Sequence, residues 1–192
     1  MKIVLASSSI RRRQLLGKLI DNFDIYASSF CEESIDFRGN CGEYVMNLAL
    51  GKAQDVCSKM REMNTIIIGC DTVVYFRGNI LGKPRDRDDA FNMLKSLSAN
   101  EHDVYSGVAI INKASGLIKR DFVKTTVRFS DISDEQIEKY LNTSEYKDKA
   151  GAYGIQGYGG VFVPKIHGCY YNVVGLPLNK LREMLTGMGV NL

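Results

Sequence analysis

The chain has 192 residues, of which 45% are hydrophobic and 24% are charged, and its formal net charge is +3. These values are typical of an ordinary globular protein, and so small a charge does not by itself indicate nucleic-acid binding. No apolar run approaches the roughly 20 residues of a membrane-spanning helix, so we expect no membrane partner.

The cysteines and the N-terminus bear on the compartment. Five cysteines without a C-x-x-C pair argue against a disulfide framework and against a structural zinc site. The chain goes directly into a predicted strand and lacks the apolar stretch and cleavage site of a signal peptide. We therefore expect a cytoplasmic protein.

The N-terminal segment predicts a strand at residues 2–6, a serine-rich turn and a helix at about 10–20. The arginines that begin with Arg11 and Arg12 do not suit a helix start, because cations oppose the helix dipole there. Backbone N–H groups, serine hydroxyls such as that of Ser7 and guanidinium groups together favour a bound anion. We prefer phosphate over the alternative, a solvated basic turn.

A second strand is predicted at 23–29, and an acidic loop with Glu32 and Glu33 follows it. Paired carboxylates on a loop can hold a divalent cation. Adjacent glutamates are more often plain surface, so this pair alone does not establish a metal site.

The next segment predicts a helix at about 42–60, and Lys52 falls on its buried stripe. A lysine on the inner face needs a carboxylate or a phosphate, unless it snorkels past the edge of the stripe. Gly51 beside it lowers helix propensity by about 1 kcal/mol, which favours a close approach at this point.

A central buried strand is predicted in the stretch 65–74, because its apolar residues face both sides, and the extended pattern continues to Phe76. Asp71 lies near the end of this run, where a carboxylate costs free energy unless a cation or a reaction needs it. The alternative is that Asp71 caps a turn. The chain then turns and returns towards Lys83, which this hairpin could bring near Asp71.

The remaining elements are helices, strands and one glycine-rich loop. In chain order the patterns predict a helix capped by Asp86 or Asp88, strands at 104–111 and 117–129, a helix from Ser133 to about Leu141, strands at 161–165 and 170–174, and a terminal helix ended by Gly187.

Residues 147–160 contain five glycines, which indicates tight bends and close passage past another group. A flexible loop is the alternative. The interleaved tyrosines and Gln156 favour a loop that lines a ligand.

Several chemistries are excluded by motif. There is no G-x-x-x-x-G-K-[ST] and no G-x-G-x-x-G, and two histidines cannot form a His-rich zinc site. A set of cations and carboxylates remains, which suits a phosphate-rich substrate with a divalent metal. Its members are Arg11, Arg12, Lys52, Lys83, Glu32, Glu33 and Asp71.

Five segments resemble the Maf family of nucleoside triphosphate pyrophosphatases, which is linked to septum formation. They are LASSSIRR (5–12), GCDTVV (69–74), GKPRD (82–86), DKAGAYGIQG (148–157) and YNVVGLP (171–177). The resemblance implies one Maf-like domain over 1–192. Its fold would be α/β, with a mixed central sheet flanked by helices and two lobes around a deep cleft, as in the related inosine triphosphate pyrophosphatases.

The resemblance also implies the site residues. The catalytic carboxylate, as proton acceptor, falls on Asp71. Substrate binding falls on Ser7, Arg11, Arg12, Lys52 and Lys83, base selection on Arg11, Thr72 and Gln156, and the acidic metal position on Glu32 or Glu33.

Two residues depart from the family pattern. Ile10 stands where proline is usual, and this removes a helix-start device but no functional group. Lys124 stands where an acidic residue is common, which could alter the charge of the cleft.

The expected function is hydrolysis of dTTP or UTP to the monophosphate and pyrophosphate, assisted by Mg²⁺ or Mn²⁺. Gln156 would read the uracil or thymine edge in a pocket packed by Tyr153 and Ile155. Whether Asp71 is the base or a metal ligand stays open at this point, and a homodimer is one possible assembly. The alternatives are a phosphatase that releases orthophosphate and a non-catalytic nucleotide- or nucleic-acid-binding regulator of division.

Overall fold

The computed structural model describes residues 1–190, which form two compact units. The first unit comprises Met1–Thr72, Ser106–Val123 and the C-terminal segment from Gly175. The second comprises Val73–Tyr105 and Lys124–Val174. Three long strands contribute residues to both units: β3 (Thr65–Phe76), β5 (Glu101–Asn112) and β6 (Ile118–Arg128).

The first unit contains a mixed set of strands and helices. In chain order, its remaining elements are β1 (Lys2–Leu5), α1 (Ile10–Leu16), β2 (Asp24–Ile25), α2 (Cys41–Lys59) and α6 (Leu178–Thr186). Its strands lie in the order β2-β1-β3-β5-β6, and β1 pairs in parallel with both β2 and β3. As predicted, β3 is buried on both faces in its first half.

Helix α2 packs unusually close to the sheet because two strand residues lack side chains. A Cβ at Gly69 of β3 would lie 2.1 Å from the carbonyl oxygen of Ala49, and a Cβ at Gly107 of β5 would lie 2.2 Å from that of Val45. Any other residue would push the helix away. The core on this side is correspondingly built of small side chains, among them Ala49 and Ala53.

The second unit adds antiparallel pairing and an aromatic core. Its own elements are β4 (Asn79–Leu81), α3 (Arg87–Leu97), α4 (Asp134–Leu141), β7 (Lys165–His167) and α5 (Tyr170–Val174). Strand β4 pairs antiparallel with β3, and β7 pairs antiparallel with β6. Asp86 caps α3, and Ser133 with Gln136 forms the predicted capping box of α4.

Two predicted strands are wrong. Of the predicted strand 161–165, only Lys165 lies in a strand, β7, and residues 161 and 162 end a 3-10 helix at 158–162, whose Tyr158 and Gly159 N–H groups turn towards the carboxylate of Glu145. Residues 170–174 form α5, whose buried Asn172 donates hydrogen bonds to the Val104 carbonyl and the Thr125 hydroxyl. Both deciding contacts are made by polar side chains, which an apolar pattern does not reveal.

The observed architecture confirms the predicted α/β class, with a mixed central sheet flanked by helices. The single domain over 1–192 and the cleft stay predictions. Within residues 1–190, none of the helices combines the length and apolar character that crossing a bilayer requires.

Candidate active site

Lys52 on α2 is paired with two carboxylates. Its ammonium group donates a hydrogen bond to Asp71 on β3 and lies 2.8 Å from the carboxylate of Glu32. Asp71 is only 5% exposed. A carboxylate buried this deeply is costly unless a cation compensates it, and Lys52 supplies that cation. Because β3 continues to Phe76, the interpretation of Asp71 as a turn cap is wrong.

The electrostatics of this cluster keep Lys52 charged. Burial by itself lowers the pKa of a lysine, but the charge of Asp71 and the hydrogen bonds to Asp71 and Glu32 outweigh it, so the pKa of Lys52 is raised above 10.5. The side chain of Lys52 is 13% exposed. It therefore ends at the two carboxylates instead of snorkelling into solvent, and that alternative is wrong.

Glu32 reaches Lys52 because the loop before it is fastened to α2. A Cβ at Gly51 would lie 2.4 Å from the ring of Phe30, so the glycine makes room for this ring, as its cost in helix propensity suggested. The carboxylate of Asp55 accepts hydrogen bonds from the Ser28 hydroxyl at 2.9 Å and the Ser29 N–H at 2.8 Å.

Asp55 is itself held as a carboxylate. The hydrogen bond from Lys59, assisted by those from Ser29 and Ser28, lowers the pKa of Asp55 to about 2. The Asp55 carboxylate, which holds the acidic loop against α2, is therefore ionised throughout the neutral range.

Glu33 and Tyr44 complete the acidic surroundings. Glu33 accepts a hydrogen bond from the Cys31 thiol at 3.3 Å, and its own backbone N–H together with that thiol lowers its pKa. Burial raises the pKa of Tyr44, and the charges of Asp71 and Glu32, among others, add to the increase. Sequence reasoning missed Tyr44, although it lies eight positions before Lys52 on the same helical stripe.

The carboxylates fit a divalent cation only with help from a substrate. In the part of the chain that the structure describes, no group of three or more His, Cys, Asp or Glu side chains could hold a metal ion. Glu32 and Asp71 nevertheless converge on one ammonium group, so their oxygens lie close together. Mg²⁺ is commonly bound by one or two carboxylates plus phosphate oxygens and water. The donor set therefore fits such an ion.

A second polar cluster surrounds Arg12. Its Nε donates to the Gly175 carbonyl at 2.9 Å, and its Nη2 donates to the Thr72 hydroxyl at 3.1 Å. The hydroxyls of Thr72 and the fully buried Ser106 are 2.8 Å apart. Gly175 has φ +125°, a conformation that favours glycine, and its carbonyl also accepts from the thiol of Cys70 at 3.3 Å.

Sequence reasoning missed Ser106 as part of this cluster. The available signal was a hydroxyl inside an otherwise apolar predicted strand.

The serine-rich turn lies beside Arg12. The Ser7 hydroxyl is largely buried and accepts the Ser9 N–H at 3.2 Å, while Ser9 caps α1. Arg11 is half-buried, whereas Ile10 is 72% exposed. The departure at Ile10 therefore affects the surface of the helix start and removes no contact of the cluster.

The other predicted site residues belong to the second unit. Lys83 is exposed after β4, and the carbonyl of the preceding Gly82 accepts the Gly151 N–H at 3.1 Å. Gln156 is exposed. Lys124 is paired with Asp103 at 2.9 Å, so its charge is balanced locally.

Tyr153 differs from its predicted place in a base pocket. It is 6% exposed, packs edge-to-face on Phe129 and shares a hydrogen bond of 2.8 Å with Nε2 of His102. Tyr153 is thus a core residue of the second unit.

The comparison with protein families decides the relationship. The family described as "Maf-like protein" matches residues 2–188. The chain belongs to the Maf family.

Full-length relatives agree with this membership. The chain is 65% identical over 192 residues to a Clostridium kluyveri protein named "dTTP/UTP pyrophosphatase", covering all of both chains. It is 58% identical over 191 residues to a Clostridium botulinum protein of the same name, covering 99% of this chain and 98% of the relative. A solved structure of the Staphylococcus aureus Ham1 protein shares the fold, with a TM-score of 0.52 and 14% identity over 98% of this chain and all of that one.

In this Maf protein the structure brings two groups of predicted residues together within the first unit. One joins Lys52 with Asp71 and Glu32, and the other joins Arg12 with Thr72. The contacts of Glu33 described above are with Cys31 and not with Lys52. Cytoplasmic location and a homodimer stay predictions for this Maf chain.

Proposed function

We propose that this Maf protein hydrolyses the bond between the α- and β-phosphates of a nucleoside triphosphate and prefers dTTP and UTP. The products would be the nucleoside monophosphate and pyrophosphate. The observation that carries the proposal is the buried Lys52–Asp71 pair with Glu32 beside it, because it combines a phosphate-binding cation with carboxylates in one place. The names of the full-length relatives support the same activity.

Phosphate binding is assigned to the basic residues and Ser7. Lys52 would exchange part of its contact with the carboxylates for phosphate oxygens, since an ammonium group has three donors. Arg12 is already oriented by Gly175 and Thr72, so less side-chain freedom is lost when it meets a phosphate. Arg11 and Lys83 are assigned to the same task by motif.

Asp71 is assigned as the group that orients and deprotonates the attacking water. Its burial excludes bulk solvent, and the ammonium group of Lys52 pairs with it in the resting site. Glu32 and the neighbouring Glu33 would hold Mg²⁺ or Mn²⁺. When bound, such an ion neutralises phosphate charge as a Lewis acid.

Base selection is assigned to Arg11, Thr72 and Gln156. A glutamine amide offers a donor and an acceptor together, as the carbonyl and N3–H edge of uracil or thymine requires. An amide held in this orientation would be mispaired with cytosine, at a cost of roughly 1–3 kcal/mol, or about ten- to a hundredfold in kcat/KM. The exposure of Gln156 leaves its amide accessible to a ligand.

The proposal is tested with a panel of nucleoside triphosphates and Mg²⁺ or Mn²⁺, with the products separated by chromatography. We expect dTTP and UTP to react fastest, CTP to follow, and monophosphate and pyrophosphate to appear together. Diphosphate with orthophosphate would contradict the assigned bond. A preference for any purine triphosphate over UTP would contradict the assigned base selection.

A further inference from the structure

The carboxylate of Glu145 is enclosed by the backbone of residues 154–160, which we call the Gln156 loop. Its Oε2 accepts the Tyr158 N–H at 2.7 Å, and its Oε1 accepts the Gly159 N–H at 3.2 Å. Oε1 also accepts the hydroxyl of Tyr140 at 3.3 Å. Both oxygens are therefore engaged, and hydrogen bonds to a carboxylate are about twice as strong as neutral ones.

Gly157 of the Gln156 loop is matched to this carboxylate, because a Cβ there would lie 2.1 Å from Oε2 of Glu145. A Cβ at Gly154 would first meet the side chain of Lys149, at 2.6 Å, and would lie 3.1 Å from Oε1 of Glu145. The backbone at Gly157 has φ −113°, which any residue can adopt. Gly157 is thus needed for space.

The loop folds back on itself around Glu145. The Gly157 N–H donates to the Gly154 carbonyl at 3.3 Å, and the Gly160 N–H donates to the Gly157 carbonyl at 3.1 Å. Gln156 lies inside the first of these turns, between two positions that pack against the carboxylate. Its backbone is therefore fixed on both sides while its side chain stays exposed.

We propose that Glu145 is a positioning residue for base selection, which fixes the backbone position from which the side chain of Gln156 reaches the base. The proposal rests on the proposed function, since it requires Gln156 to read the base. A glutamine on a mobile loop could follow either base, so it would discriminate weakly between them. A loop anchored by a carboxylate is preorganised, so a mispaired base cannot be accommodated by a small shift of the backbone.

The test measures the ratio of kcat/KM for UTP to that for CTP in Glu145→Gln, in Gln156→Ala and in the double variant. In Glu145→Gln one oxygen becomes an amide that faces an N–H donor, so the ratio is expected to fall roughly tenfold. The double variant should discriminate no worse than Gln156→Ala alone, because both changes act on one interaction. Gly157→Ala disturbs the same contact from the loop side and should lower the ratio as well.

Glu135→Gln is the matched control, since Glu135 is exposed in the first turn of α4. It should leave the ratio unchanged. If Glu145 had only a structural role, Glu145→Gln would lower the melting temperature and slow the hydrolysis of UTP and CTP equally. An unchanged ratio in both Glu145→Gln and Gly157→Ala would overturn this inference and leave the proposed function standing. If the wild-type protein releases no pyrophosphate from UTP, the proposed function fails first, and the inference fails with it.

Discussion

Lys52 on α2 and Asp71 on β3 form a buried ion pair. The helix and the strand are in contact at a glycine of the strand. Gly69 lies two positions before Asp71, and its missing side chain lets α2 approach β3 at Ala49. Lys52 follows Ala49 by about one helical turn. The close packing of α2 on β3 therefore sets the position of Lys52 relative to Asp71.

Replacing Asp71 by asparagine tests its assignment as the proton acceptor. The shape is kept and the charge is lost, so we expect pyrophosphate release from UTP to slow by ~10²-fold or more, with the fold intact by circular dichroism. Asp21→Asn, at an exposed position, is the control. Near-normal turnover in Asp71→Asn would place the base elsewhere.

We expect Lys52→Ala to lower both stability and activity, and Lys83→Ala to lower activity alone. Lys52 compensates a buried carboxylate, so its removal should lower the free energy of unfolding by about 3 kcal/mol as well as the activity. Lys83 is exposed, and its removal should change stability by less than about 0.5 kcal/mol while still lowering the activity.

Urea unfolding and steady-state kinetics on both variants give these values. Equal stability of Lys52→Ala and wild type would mean that Asp71 finds another partner. Unchanged kinetics in Lys83→Ala would remove Lys83 from the phosphate-binding set.

Periodicity predicted α2 and β3 of the first unit, whereas α1 ends at Leu16 instead of at about residue 20 and β2 keeps only Asp24–Ile25 of the predicted 23–29. The apolar run that begins at Thr65 predicted the buried strand β3, and the cost of Gly51 in a helix pointed to the contact with Phe30. The position of Lys52 on the buried stripe indicated a carboxylate or phosphate partner. These inferences held because local pattern and tertiary packing favour the same structure.

The apolar pattern of the sequence predicted the wrong element where a polar side chain distant in sequence determines the backbone conformation. The segment 161–165 was predicted as a strand, yet the 3-10 helix at 158–162 includes its first two residues and is held by hydrogen bonds to Glu145. The segment 170–174 is equally ambiguous, and the contacts of Asn172 decide for a helix. Tyr153 was expected to line a pocket, and its partner His102 lies 51 positions away. No local signal reports such pairs.

Gly51→Ala should weaken metal binding. Alanine favours the helix by about 1 kcal/mol, but its Cβ would collide with Phe30 and displace the loop that carries Glu32. We expect the Mg²⁺ concentration that gives half-maximal activity to rise several-fold.

Gly17→Ala is the control for this change, because the atoms nearest to its Cβ lie at 3.6 Å, an ordinary contact distance. A metal titration of both variants is the measurement. An unchanged Mg²⁺ requirement in Gly51→Ala would show that Phe30 does not position Glu32 for the metal.

His102 gives the second unit a pH dependence of stability. It is 3% exposed, its Nε2 shares a hydrogen bond with Tyr153, and burial lowers its pKa from 6.5 to about 4. Between these two values the unfolded chain binds a proton that the folded chain does not. The stabilisation is therefore complete above about pH 6.5 and is lost progressively as the pH falls towards 4.

We expect the free energy of unfolding to fall by on the order of 3 kcal/mol across this window because of His102. His102→Phe should pack against the neighbouring aromatic rings but cannot be protonated. The lost hydrogen bond to Tyr153 should lower stability by a similar amount at every pH. Because phenylalanine takes up no proton, the slope of stability against pH should become shallower. His167→Gln is the control, since His167 is exposed and is the other of the two histidines. Urea unfolding at intervals between pH 7 and 4 gives the slopes, and equal slopes for His102→Phe and wild type would show that His102 is not held neutral by burial.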